Sequence, residues 1–136
     1  MRVVLDTNVI LSGILFGGKP RQILEAAVAG TVKMFISEAI VSELKGVLQR
    51  PKFGLTSQIV EAILAELSSV AEWVVPQSHV EIINDDITDN SVLDCALEAN
   101  ADYIVSGDEH LLKLERCGKI SIVTPDSFLR LLETKQ

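Results

Sequence analysis

The chain has 136 residues, 48% of them hydrophobic, enough for one ordinary core, and it reads as a single domain over residues 1–136. Its formal net charge of −7 does not advertise a general affinity for nucleic acid, because non-specific binding comes mainly from Lys and Arg neutralising phosphates; the acids either gather in a site that recruits cations or solvate the surface. No apolar run is long enough to span a bilayer and no signal-peptide pattern opens the chain, so a soluble, cytoplasmic protein with no membrane attachment is expected.

Arg2 to Leu5 is short, β-branched and bounded by polar residues, the pattern of a buried strand. Gly13, Gly17, Gly18 and Pro20 then predict a loop, followed by a helix from Arg21 to Ala29. Val32 to Ile36 is the second strand, and Ser37 caps a helix that runs to about Gln49 and stops before Pro51. Ile59, Val60, Ile63, Leu64 and Leu67 recur at helical spacing between Thr56 and Ser69. Glu72 to Val75 is the third strand, and the acidic loop INDDITDN leads into a helix from about Asp89 to Asn100. Asp102 to Ser106 is the fourth strand, EHLLKL a short helical piece, and Ile120 to Val123 the fifth strand. Thr124 and Pro125 open a terminal helix through Leu132. Strands alternating with helices predict an α/β fold, a parallel sheet of four to five strands covered on both faces.

In such a sheet, ligands bind outside the carboxyl ends of the strands. Asp6 follows the first strand and Asp108 the fourth. Either alone also reads as a turn or cap residue; the pair is harder to read that way. At ~100° per residue, Ile40, Val41, Leu44, Val47 and Leu48 form one stripe of their helix, and Glu43 borders it beside Ile40 and Val47. Asp89 lines up with the inward face made by Val92, Leu93, Ala96 and Ala99, whereas Asp94 and Glu98 point away. If these acids converge, repulsion raises their pKa values unless a cation sits among them, and Mg²⁺ or Mn²⁺ is the natural occupant of an all-oxygen site. Cys95 and Cys117 form no CxxC or Cys/His cluster and read as small hydrophobes, and His79 and His110 belong to no motif.

VVLDTNVILSG, a helix bearing VSEL, and DNSVLDCALEANADYIVSGDEHLL together resemble, in order and over essentially the whole chain, the PIN domain, in particular PIN-family toxins of prokaryotic toxin–antitoxin pairs. The resemblance implies a three-layer α/β/α sandwich whose acidic pocket binds Mg²⁺ or Mn²⁺ and hydrolyses RNA phosphodiester bonds. By position, Asp6, Glu43, Asp89 and Asp108 match the family's four acids, with Asp6, Asp89 and Asp108 as metal ligands, and Asn8 and Ser106 match the polar companions that orient carboxylates. Related sequences often carry a DPDD-like third motif where this chain has Asp86, Ile87, Thr88 and Asp89, which leaves Asp86 as a further candidate for a second metal. The implied partners are RNA, a small antitoxin protein and a second copy of the chain. Lys45, Arg50 and Lys52, near the end of the second helix, are the candidates to hold substrate; a solvated helix terminus is the competing reading. Two other readings compete: a non-catalytic scaffold that binds RNA or a protein, and an aspartyl-phosphate domain. Against the second, Asn8 stands where haloacid-dehalogenase chemistry needs an Asp.

Overall fold

The computed structural model describes residues 1–77 and 87–134, with backbone alone for 87–89. His79, Asp86 and the first half of the INDDITDN segment therefore lie outside the described residues. Six strands form one sheet: β1 (Arg2–Leu5), β2 (Lys33–Ile36), β3 (Glu72–Trp73), β4 (Tyr103–Val105), β5 (Arg116–Cys117) and β6 (Ile120–Val123). Their order is β3-β2-β1-β4-β6-β5. All neighbours are parallel except β5 and β6, which are antiparallel.

Strand β1 is central, and its run of Val3, Val4 and Leu5 is inaccessible to solvent, as an all-apolar strand in a parallel sheet should be. Arg2 anchors its start. The Arg2 N–H donates to the Asp102 carboxylate at 2.8 Å, its guanidinium donates to the Ala99 carbonyl, and the same group lies over the Phe35 ring, 4.3 Å from its centroid. Three segments on both sides of β1 are thereby tied to one residue, two of them through its side chain.

The helices are α1 (Thr7–Leu15), α2 (Gly18–Val28), α3 (Glu38–Leu48), α4 (Ser57–Val70), α5 (Ile87–Glu98), α6 (Glu109–Leu112) and α7 (Pro125–Thr134), with a 3-10 turn at Pro51–Phe53. They flank the sheet: α1 packs on α2, α7 on α2, α5 on β1, β2 and β4, and α3 touches both α1 and α5. Ser37 and Thr56 cap α3 and α4 by accepting from the N–H groups three residues on, although the Ser37 bond is long at 3.5 Å.

Three expectations are corrected. The segment after Asp6 is a helix rather than a loop, because Gly13 serves packing. A Cβ there would sit 2.6 Å from Leu24 Cδ1 and 3.1 Å from the Pro20 backbone, so its absence lets α2 come close to α1. A sixth strand, β5, pairs with β6 across a two-residue turn at Gly118 and Lys119, with Gly118 at φ 61° in the left-handed region such turns need. Asp94 does not point away into water; it is buried, because α5 is wedged between the sheet and α3 and leaves little of its circumference free.

Candidate active site

The strand order reverses between β1 and β4. From β1 the chain crosses to β2 on one side, whereas β4 lies on the other side of β1 and continues outward to β6. The carboxyl ends of these two strands therefore splay into the crevice where open α/β sheets hold their ligands. Asp6 ends β1, and Ser106, Gly107 and Asp108 end β4. Two backbone bonds hold this edge in register: Asp6 N–H donates to the Val105 carbonyl and Ser106 N–H to the Val123 carbonyl, both at 2.9 Å.

Ser106 joins the two acids. Its hydroxyl donates to Asp6 Oδ2 at 2.7 Å and accepts from the Asp108 backbone N–H at 2.9 Å. Asp6 and Ser106 are both buried, at 2% and 0% exposure, whereas Asp108 is half-buried and faces the crevice mouth. Asp108 also caps α6, its Oδ1 accepting from the His110 N–H at 2.7 Å, which leaves the carboxylate fixed at the strand end.

Burial pushes the Asp6 carboxyl above its ordinary range. The Ser106 hydroxyl opposes that rise, the neighbouring Asp108 carboxylate adds to it, and the N–H groups of Thr7 and Asn8 at the start of α1 pull against it. Those N–H groups act as nearby dipoles, since Asp6 closes no side-chain cap bond on α1. A buried carboxylate next to a second one, with one weak hydroxyl donor between them, is short of positive charge. That is the electrostatic state an oxygen-ligated divalent cation relieves, and it is the structural ground for the fit of Mg²⁺ or Mn²⁺ to these residues.

Glu43 enters the same crevice from α3. Thr7, 1% exposed, donates from Oγ1 to Glu43 Oε2 at 3.3 Å, so the border position read from the helix angle brings that carboxylate against the start of α1. Asn8 is exposed on the first turn of α1, and with Ser12, Pro20, Gly107, Asp108 and Pro125 it lines an open pocket of about 280 Å³ beside Asp108. Asp89 lies in the first turn of α5, its side chain outside the described residues. Among the described residues, no three of the His, Cys, Asp and Glu side chains gather closely enough to hold an ion.

Thr7 is the polar residue that position alone did not assign to Glu43. The signal available was a β-branched hydroxyl residue on an otherwise apolar helix face. Lys45 is committed elsewhere, paired with Glu61 on α4 at 2.9 Å, and Lys52 lies over the Phe53 ring. Cys95 is buried, its thiol pushed up to about 12 by burial, and behaves as a small core residue.

The comparisons with known proteins come down on one family. The family model of the PIN domain matches residues 2–110. Among solved structures, the chain is similar to VapBC2 from Rickettsia felis, crystallised bound to a DNA fragment from their promoter. The TM-score is 0.61 at 19% identity, over 90% of this chain and 97% of that one. No curated protein matches the chain. With more than half of its length matched by the family model, including Asp6, Glu43, Ser106 and Asp108, the chain belongs to the PIN domain family.

Proposed function

We propose that the protein is a ribonuclease dependent on Mg²⁺ or Mn²⁺, and the toxin of a toxin–antitoxin pair. The observation that carries the reading is the Asp6–Ser106–Asp108 arrangement at the switch point between β1 and β4. Asp6 and Asp108 would hold the cation, with Asp89 as third ligand and Glu43 as the fourth acid of the crevice; Asp86 is the candidate for a second ion. When bound, the cation supplies the Lewis acidity that activates water and offsets charge on a phosphodiester.

The chain's own groups do the rest. Burial keeps the Asp6 carboxylate from being satisfied by bulk water, Ser106 fixes which of its oxygens faces the crevice, and the backbone bond to Ser106 sets the Asp108 loop. Asn8 offers an amide at the rim of the adjoining pocket, where it can orient a substrate phosphate or sugar. The chemistry needs no Ser/His/Asp or Cys/His set.

The toxin reading rests on the family membership and on the fold likeness to a toxin–antitoxin protein. An apolar groove between α1, α2 and α4, lined by Ile14, Leu24, Val28, Ile63, Leu67 and Val70, has the chemistry to take an antitoxin helix. A second copy of the chain is the other expected partner; light scattering that returns the mass of one chain would overturn that part.

The deciding experiment is cleavage of single-stranded RNA with Mn²⁺ or Mg²⁺ against a chelator, using the native chain beside Asp6→Asn and Asp108→Asn. We expect metal-dependent cleavage that falls at least about a hundredfold in each variant, the scale on which electrostatic catalysis is lost. Equal cleavage by native and variant proteins would mean a contaminating nuclease and a wrong site. A native chain that binds RNA but never cuts it returns the scaffold reading.

A further inference from the structure

Thr7 is an unusual residue for its position. It opens α1 directly behind Asp6, it is 1% exposed, and its β-branched side chain has few rotamers open to it in a helix. A hydroxyl there has two local options, capping its own helix or bonding back to the preceding turn. Among the described residues it takes neither, and bonds instead across 36 residues to the Glu43 carboxylate on α3. Valine would fill the same volume on this apolar face, beside Val9 and Ile10, without burying a hydroxyl.

The bond has a geometric consequence. Glu43 sits at the border of α3, half-buried, with a flexible side chain that can turn toward water or along the end of the sheet. Thr7 lies one residue from Asp6, whose own direction is set by Ser106. A hydroxyl donor attached to the first turn of α1 thus draws the α3 carboxylate toward the same strand end that carries the first acid. Two acids on different elements are coupled through adjacent residues of one chain segment.

We propose that Thr7 is a positioning residue: its hydroxyl holds the Glu43 carboxylate in the crevice beside Asp6. Thr7 acts through Glu43 and touches no reacting atom. The proposal rests on the nuclease reading for its effect on rate, and on the Thr7–Glu43 contact for everything else.

The test uses the whole chain with Thr7→Val, which removes the hydroxyl at constant volume, Thr7→Ser, which keeps it, Glu43→Ala, which removes the acceptor, and the Thr7→Val/Glu43→Ala double variant. Folding of each is checked by circular dichroism and thermal unfolding. RNA cleavage is followed by single-turnover kinetics, and Mn²⁺ binding by calorimetry. Loss of such a supporting hydrogen bond costs about ten- to a hundredfold in activity or metal affinity. Thr7→Val should therefore lower kcat by that factor with KM for RNA nearly unchanged, Thr7→Ser should regain most of it, and Thr7→Val should cost nothing further once Glu43 is Ala. Native rates in Thr7→Val, a Thr7→Ser as poor as Thr7→Val, or losses that multiply in the double variant would each overturn the proposal. If the native chain cuts no RNA, the nuclease reading fails, and the Mn²⁺ titration decides Thr7 separately: weakened binding in Thr7→Val but not Thr7→Ser upholds its role. Equal affinities, or no Mn²⁺ binding by the native chain, reject it.

Discussion

Asp6 carries a cost that its function would explain. Its carboxyl titrates above the ordinary range because burial disfavours the charged form. The folded chain then holds a proton that the unfolded chain has already released, so stability falls as pH rises from the ordinary Asp value, about 3.9, through the raised folded value, and is flat above it. Asp6→Asn removes the charge, and the Asn carbonyl can still accept from Ser106. The variant should be more stable than the native chain at pH 7 without metal, and its unfolding midpoint in urea should lose the decline across that window. A native midpoint that rises with pH there would contradict the assignment. The same linkage makes metal binding weaken as pH drops, because cation and proton compete for one carboxylate. At this scale the strand-end placement of Asp6 and Asp108 was legible, since Asp6 directly follows one apolar strand and Asp108 is the first charged residue after another. The placement of Thr7 and Asp94 was not legible, since their surroundings are set by α3, an element distant in the chain for both.

The strands and most helices were legible because their apolar residues keep a period. Strands β1, β2 and β6 and the helices α3, α4 and α7 fall within a few residues of where the pattern put them. Helix α1 was missed for a specific reason: Gly13 was read as punctuation, yet its φ is not positive and its role is to let Pro20 and Leu24 approach. Gly13→Ala gains about 1 kcal/mol of helix propensity but meets backbone that cannot retreat freely, an overpacking cost of about 1–3 kcal/mol. We expect a net loss of about 1 kcal/mol in chemical unfolding, with the cleavage site intact; a more stable Gly13→Ala would mean that α2 gives way easily. Strand β5 escaped because two residues carry no period at all.

The molecule as a whole spends much of its positive charge on itself. Arg2 and Arg21 bond backbone carbonyls, and Lys19, Lys33, Lys45 and Arg130 pair with Asp or Glu. On the toxin reading, an antitoxin would then be held by an apolar surface. Val28, 69% exposed on the groove between α1, α2 and α4, is the residue to alter. Val28→Lys should cut co-purification with the product of an adjoining antitoxin-like frame at least about tenfold, the loss expected of a buried apolar anchor, while RNA cleavage is unchanged. Undiminished co-purification would move the antitoxin to another face. What no local pattern revealed is that β1 and β4 are neighbours, because pairing across a hundred residues is a property of topology. That pairing also sets a schedule for synthesis. A ribosome must translate past Asp108, and the emerging chain must close a loop of about a hundred residues, before the two acids meet. Chains that stop before β4 would carry Asp6 without Ser106 or Asp108 beside it, so on the nuclease reading they would hold one edge of the site without the other.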